Sequence, residues 1–252
     1  MIAVRLARVT AAELDKLRSL PVVILTVAGT VAAGVVLAVA LTAVSAQGAG
    51  PVTPPVATVS AGLPYVQAGL LLLGVLPVAQ EYTGRQLGTT LAAVPHRGVL
   101  LTAKTVAALA VLAFTAAVAV GAMTIAALVT ARLVGEPAVA IGAASAGAGG
   151  ESVSLAGAGA YLVLIGLLAH GTALLVRHLV PALVAVLGLV LIMSPLLGGL
   201  TRHARWLPDR AAAQLYQPTD TVLTELTGGL VALAWIVVLV GGAAVRFVRR
   251  DP

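Results

Sequence analysis

The sequence predicts an all-α integral membrane protein of six transmembrane helices, and three observations carry that prediction. The 252 residues are 60% hydrophobic and only 10% charged, with a mean hydropathy of +1.08, whereas soluble domains carry about a quarter charged residues. No charged residue occurs between Ser19 and Gln80, a run of 62 positions. Further apolar runs follow, each long enough at 1.5 Å per residue to cross a hydrocarbon core of about 30 Å. An open sheet would leave unpaired backbone edges in lipid. An outer-membrane barrel would show short alternating strands rather than long Ala, Leu and Val runs.

Each element follows from its local pattern. Residues 1–20 read as an amphipathic helix: Ile2, Leu6, Val9, Leu17 and Leu20 share one face, Arg8, Asp15 and Arg18 lie opposite, and Glu13 interrupts the apolar stripe. Such a helix lies along a membrane surface. The long uncharged run divides at Gly48, Gly50, Pro51, Pro54 and Pro55, which break a helix, giving spans 21–46 and 61–80. A polar segment, 81–98, separates these from span 100–131, whose first turns hold Lys104, expected to snorkel to the interface. Residues 135–153 are rich in Gly, Ala and Ser and read as a tether. Spans 154–176 and 179–200 follow, the latter bent between Pro181 and Pro195. The loop 201–225 carries Trp206 and Tyr216, residues that favour the membrane–water boundary, and is expected to form a short re-entrant or interfacial element. Span 226–245 completes the chain, a single transmembrane domain over 1–252.

Charge orients the bundle. With the N-terminus inside, the inner segments hold Arg5, Arg8, Lys16, Arg18, Arg85, Arg97, Lys104, Arg177, Arg246, Arg249 and Arg250, and the outer segments Arg132, Arg202, Arg205 and Arg210. Eleven basic residues against four predict both termini in the cytoplasm. The net charge of +6 therefore reads as orientation and attraction to anionic lipid, not nucleic-acid binding. Ala43–Ala46 has the form of a signal-peptidase site, but the preceding segment is too long and, with Glu13 and Asp15, too acidic for a signal peptide.

Recognised chemistry is sparse. Without Cys there is no disulfide and no thiolate site. Gly98–Thr105 matches the outer spacing of a phosphate-binding loop, but Ala103 replaces the second Gly and no strand precedes it. The histidines His96, His170, His178 and His203 form no metal-ligand pattern, and no nucleophile elbow exists. The expectation is a chain with no catalytic residue, cofactor or metal of its own. His170 falls inside a span, where an ionisable group is costly, and is a candidate pathway residue. Thr26, Thr30, Thr115, Thr124, Thr172 and Ser194 would make a weakly polar path for an amphiphilic or apolar cargo.

Two segments resemble a known family. Glu13-Leu14-Asp15-Lys16-Leu17-Arg18-Ser19 is similar to the E-x-x-K-x-R-S start of bacterial ABC transporter permeases of the second exporter type. Glu81-Tyr82, Gly88-Thr89, Leu91 to Pro95, Arg97 and Lys104 resemble that family's segment after its second span, although Gly88 lies seven residues after Glu81 rather than about three. The layout agrees over the whole chain. The resemblance implies the transmembrane subunit of an ATP-driven exporter in the bacterial inner membrane. It would pair with a second permease copy or paralogue and with a dimer of separate ATP-binding subunits, which would hold ATP and magnesium. It further implies that the segment 81–98 contains a coupling helix, and that Glu13, Lys16, Arg18, Glu81, Tyr82, Arg85, Gly88, Thr89, Pro95 and Arg97 form the coupling surface. Competing readings are a membrane assembly or sensor subunit that does not transport and, further off, a secondary transporter.

Overall fold

A computed structural model describes residues 2–48, 53–83, 97–134 and 154–249. Among them the chain is helical throughout, with six helices long and apolar enough to cross a membrane. It is a multi-pass membrane protein in architecture. Helix α1 (Ile2–Ser19) leads through Leu20 into α2 (Pro21–Ala46); α3 is Pro55–Thr83, α4 is Arg97–Leu133 and α5 is Leu155–Val176. Span five, α6, begins as Leu179–Leu187, widens to a π-helical turn over Gly188–Met193 and resumes as Ser194–Leu200. A 3₁₀ turn, Arg202–Trp206, and a short helix α7, Pro208–Ala213, precede α8, Glu225–Arg249.

The ends of the helices have local causes. Helix α3 starts six residues before the expected 61 because Pro55 occupies the first helical position, where no N–H is required, and Thr58 N–H bonds the Pro54 carbonyl at 3.0 Å. Ser154 caps α5 by accepting from Gly157 N–H. Helix α5 ends at Arg177, whose φ of 62° turns the chain into α6. The regular ladder of span five is interrupted at the π turn: Ser194 N–H bonds back five residues to Leu189, and Pro195 has no N–H with which to restore it.

Helices α3 and α5 form the centre of the bundle. Each has 56% of its span buried, against 22% for α2, α6 and α8, and they pack on each other more extensively than any other pair. Helix α2 leans on α3 and α4, α8 covers the outer side of α5, and α1 lies against the start of α4. Small residues set the spacing. A Cβ at Gly74 would sit 2.3 Å from the Gly166 carbonyl oxygen, so the α3 and α5 backbones nearly touch there.

Loop 201–225 folds back onto the bundle. Helix α7 packs against α5 and α8, with Pro208, Asp209, Ala211 and Ala212 buried. The fit is close on both sides: a Cβ at Gly157 would lie 1.7 Å from the Leu215 carbonyl oxygen, and one at Gly228 would lie 2.3 Å from that of Ala211. Trp206 is half-exposed, and its carbonyl accepts from the Trp235 indole at 3.1 Å. Tyr216, expected at the water boundary, is instead buried edge-on against Tyr161, ring centres 5.0 Å apart. The close packing at Gly157 draws it inward.

Candidate functional site

Three elements converge at the end of the bundle that carries α1. Glu13 and Lys16 stand three residues apart on α1, one helical turn, and so project together. Glu81 lies in the last turn of α3, and Lys104 two turns into α4. The Lys104 ammonium donates to Glu13 Oε2 at 3.0 Å and to the Glu81 carboxylate at 2.6 Å, while the Lys16 ammonium donates to Glu81 Oε1. Two cations and two carboxylates therefore form one neutral network. It is removed from water: the side chains of Glu13, Glu81 and Lys104 are each 9% exposed, and Lys16 is 28% exposed.

This arrangement corrects the expectation for Lys104. Its ammonium does not snorkel outward; it turns inward, because two carboxylates await it there and compensate its desolvation. It also explains the acidic break in the α1 stripe. Glu13 occupies an apolar-face position and is buried because Lys104 meets it across the helix interface.

Behind the network lies a cavity of about 30 Å³, lined by Glu13, Leu17, Pro77, Glu81, Lys104 and His170 among others. That is room enough for at least one water molecule. His170 is buried in α5, with its Nε2 facing no hydrogen-bond partner and its ring bonded to the Gly74 backbone. Pro77 also lines the cavity, and a proline cannot donate to the carbonyl four residues earlier, that of Leu73, which lines it too. The cavity thus joins polar groups of α3, α4 and α5 and leads from the ion network toward the bundle centre. Nothing in the sequence alone shows that Pro77, Leu73 and His170 share a space.

The remaining site residues divide. Arg18 is exposed, as are Arg8 and Asp15. The backbones of Tyr82 and Arg97 are helical, at the end of α3 and the start of α4. Arg85, Gly88, Thr89 and Pro95 lie outside the described residues, as does most of the segment 81–98 and the tether 135–153. The threonine hydroxyls of the expected polar path are occupied locally. Thr26, Thr30, Thr115, Thr124 and Thr172 each bond the carbonyl four residues back in their own helix, the usual way such a hydroxyl is satisfied in an apolar span.

At the other end of the bundle, Tyr161 donates to Gln67, and Arg210 reaches under α6 to donate to the Ser194 carbonyl at 3.1 Å. Burial pushes the Asp209 carboxyl above its ordinary 3.8, opposed in part by hydrogen bonds and by Arg210. The Arg210 bond ties α7 to the span that carries the π turn. Among the described residues no group of three His, Asp or Glu is spaced to hold a metal ion.

No family model matches the sequence, and no curated protein matches it.

Proposed function

We propose that this chain is the transmembrane subunit of an ATP-driven ABC exporter, seated in a bacterial inner membrane with both termini in the cytoplasm. It would act with a second permease copy or paralogue and with separate ATP-binding subunits, on an amphiphilic or apolar substrate. The observation that carries this reading is the meeting of Glu13, Lys16, Glu81 and Lys104 in one buried network. These four residues belong to the two segments that resemble permeases of the second exporter type, and they are far apart in sequence.

The network gives the reading a mechanical basis. Closure of an ATP-binding dimer would push on the segment 81–98. That segment is joined directly to the end of α3 and the start of α4, and both are bonded to α1. A push there therefore moves three elements together instead of bending one loop. The tight α3–α5 contact at Gly74 carries the displacement into the centre of the bundle, where packed helices shift between discrete arrangements. A membrane sensor subunit would also benefit from a rigid cytoplasmic face, and the identity of the bound partner separates the two.

Affinity isolation of the full chain from its native membranes in mild detergent, followed by mass spectrometry, tests the proposal. An ATPase with a phosphate-binding loop is expected to co-purify. Replacing Arg85 and Arg97 with Ala is expected to reduce its recovery at least several-fold while leaving the chain in the membrane. These two arginines are chosen because Glu81 holds the bundle together. No ATPase, under conditions that preserve established transporter complexes from the same cells, would discard the exporter reading in favour of a non-transporting subunit.

A further inference from the structure

A second, larger groove opens beside the ion network and faces outward. It measures about 470 Å³, within the roughly 300–1,000 Å³ of small-molecule sites. Its walls come from α1, α2 and α4: Leu14, Leu17, Val23, Val27, Ala110 and Phe114 among them. The lining is apolar except for Arg18, at the end of α1. Along α4 its wall runs from Ala110 to Phe114, about one helical turn, and along α2 from Val23 to Ala28. The α1 side thus carries a charge, and the walls from α2 and α4 are apolar.

We infer that this groove binds an anionic phospholipid of the leaflet on which α1 lies, with its phosphate against Arg18 and an acyl chain between α2 and α4. Three features select that occupant. Arg18 is exposed, and no carboxylate pairs with it among the described residues, so its charge is open to a ligand; a guanidinium suits phosphate oxygens. Helix α2 begins next to it with Pro21 and no acidic first-turn residue, so no carboxylate there competes with a ligand for the guanidinium. The groove walls from α2 and α4 are hydrocarbon, so a ligand with a small anionic head and a long apolar tail matches both sides. Bound there, the lipid would fill the space where α1 leaves α2, and would make the position of α1 depend on membrane composition. The inference does not depend on the ATP-driven reading.

Native mass spectrometry of the purified full chain tests it, with phosphatidylglycerol and phosphatidylcholine supplied in equal amounts. The wild type is expected to retain one phosphatidylglycerol about fivefold more than phosphatidylcholine. Arg18→Gln should bring the two near parity, and Arg18→Lys should preserve most of the preference. Ala110→Trp, which fills the groove, should remove both lipids; Ala28→Leu, a milder obstruction, should weaken both if the tryptophan variant does not fold. Equal retention by the wild type would overturn the inference. So would an Arg18→Gln effect with no response to either groove-filling variant, which would indicate attraction to surface charge alone. Loss of a co-purifying protein from Arg18→Gln with lipid retention unchanged would make Arg18 a protein contact and overturn it likewise.

Discussion

Lys104→Met is expected to cost about 3–5 kcal/mol, the range for removing one partner of a buried ion pair, and to lower the melting temperature in detergent by roughly 10 °C. Lys104 is the hub of the network: its ammonium contacts both carboxylates. Without it, Glu13 loses its cation and Glu81 keeps only Lys16, which is itself partly exposed. The cost comes mainly from leaving carboxylates buried without compensation, so removing them as well should restore stability. The combined variant Glu13→Gln/Glu81→Met/Lys104→Met is expected to melt closer to wild type than Lys104→Met alone, because a buried ion cluster and an apolar replacement of similar volume differ little in stability. Thermal unfolding of the three proteins in one detergent makes the comparison. A Lys104→Met protein melting within about 2 °C of wild type would mean that the charges are solvated and that the network contributes little.

Gly74→Ala is expected to be the most damaging single-methyl change in the centre of the bundle. Its Cβ would lie 2.3 Å from the Gly166 carbonyl oxygen, 2.9 Å from Ala169 Cβ and 3.0 Å from the His170 amide nitrogen. Two of those neighbours are backbone atoms, which cannot rotate away, so α3 and α5 must separate. Overpacking of this kind costs about 1–3 kcal/mol and occasionally more, and this site falls at the upper end because the strain lies on the principal helix contact. The separation would also displace His170 from the cavity behind the network. Gly121→Ala is the matched control: nothing lies within 4 Å of its Cβ position, and alanine is the better helix former by up to about 1 kcal/mol. Gly121→Ala should therefore melt at or above the wild-type temperature and Gly74→Ala well below it. Equal melting temperatures for the two variants would show that α3 and α5 are not in close contact.

These two residues also mark what the sequence could convey. Runs with at most one charge located all six candidate spans, and the limits of spans one and five agree with α2 and α6 to the residue. The start of α3 was read too late, since Pro51, Pro54 and Pro55 count as helix breakers by composition while Pro55 is a helix initiator by position. Lys104 could be read only as a cation near an interface. Its inward turn depends on Glu13, 91 residues earlier, and Glu81, 23 residues earlier, and no local pattern reports that convergence. The family resemblance brought the same residues together as motif members, but it carried no geometry. Among 27 glycines in an alanine-rich chain, Gly74 and Gly121 look alike; only the opposing backbone separates them. The threonines are ambiguous for the opposite reason, because a polar residue in an apolar span is equally explained by a bond to its own helix.

The N-terminal helix is bonded to the base of span two, and the face carrying α1 is therefore expected to move as one body. Carbodiimide cross-linking of the unmodified protein in membranes tests this most directly, because the reagent joins an amine to a carboxylate only where the two already touch. Mass spectrometry of the digest is expected to recover an isopeptide bond between Lys16 and Glu81, the more accessible ion pair of the network, with Lys104–Glu13 as a weaker second product. Digests that cover both peptides but show Lys16 unmodified, or joined to a residue other than Glu81, would contradict the account and remove the route by which a cytoplasmic partner could act on the bundle.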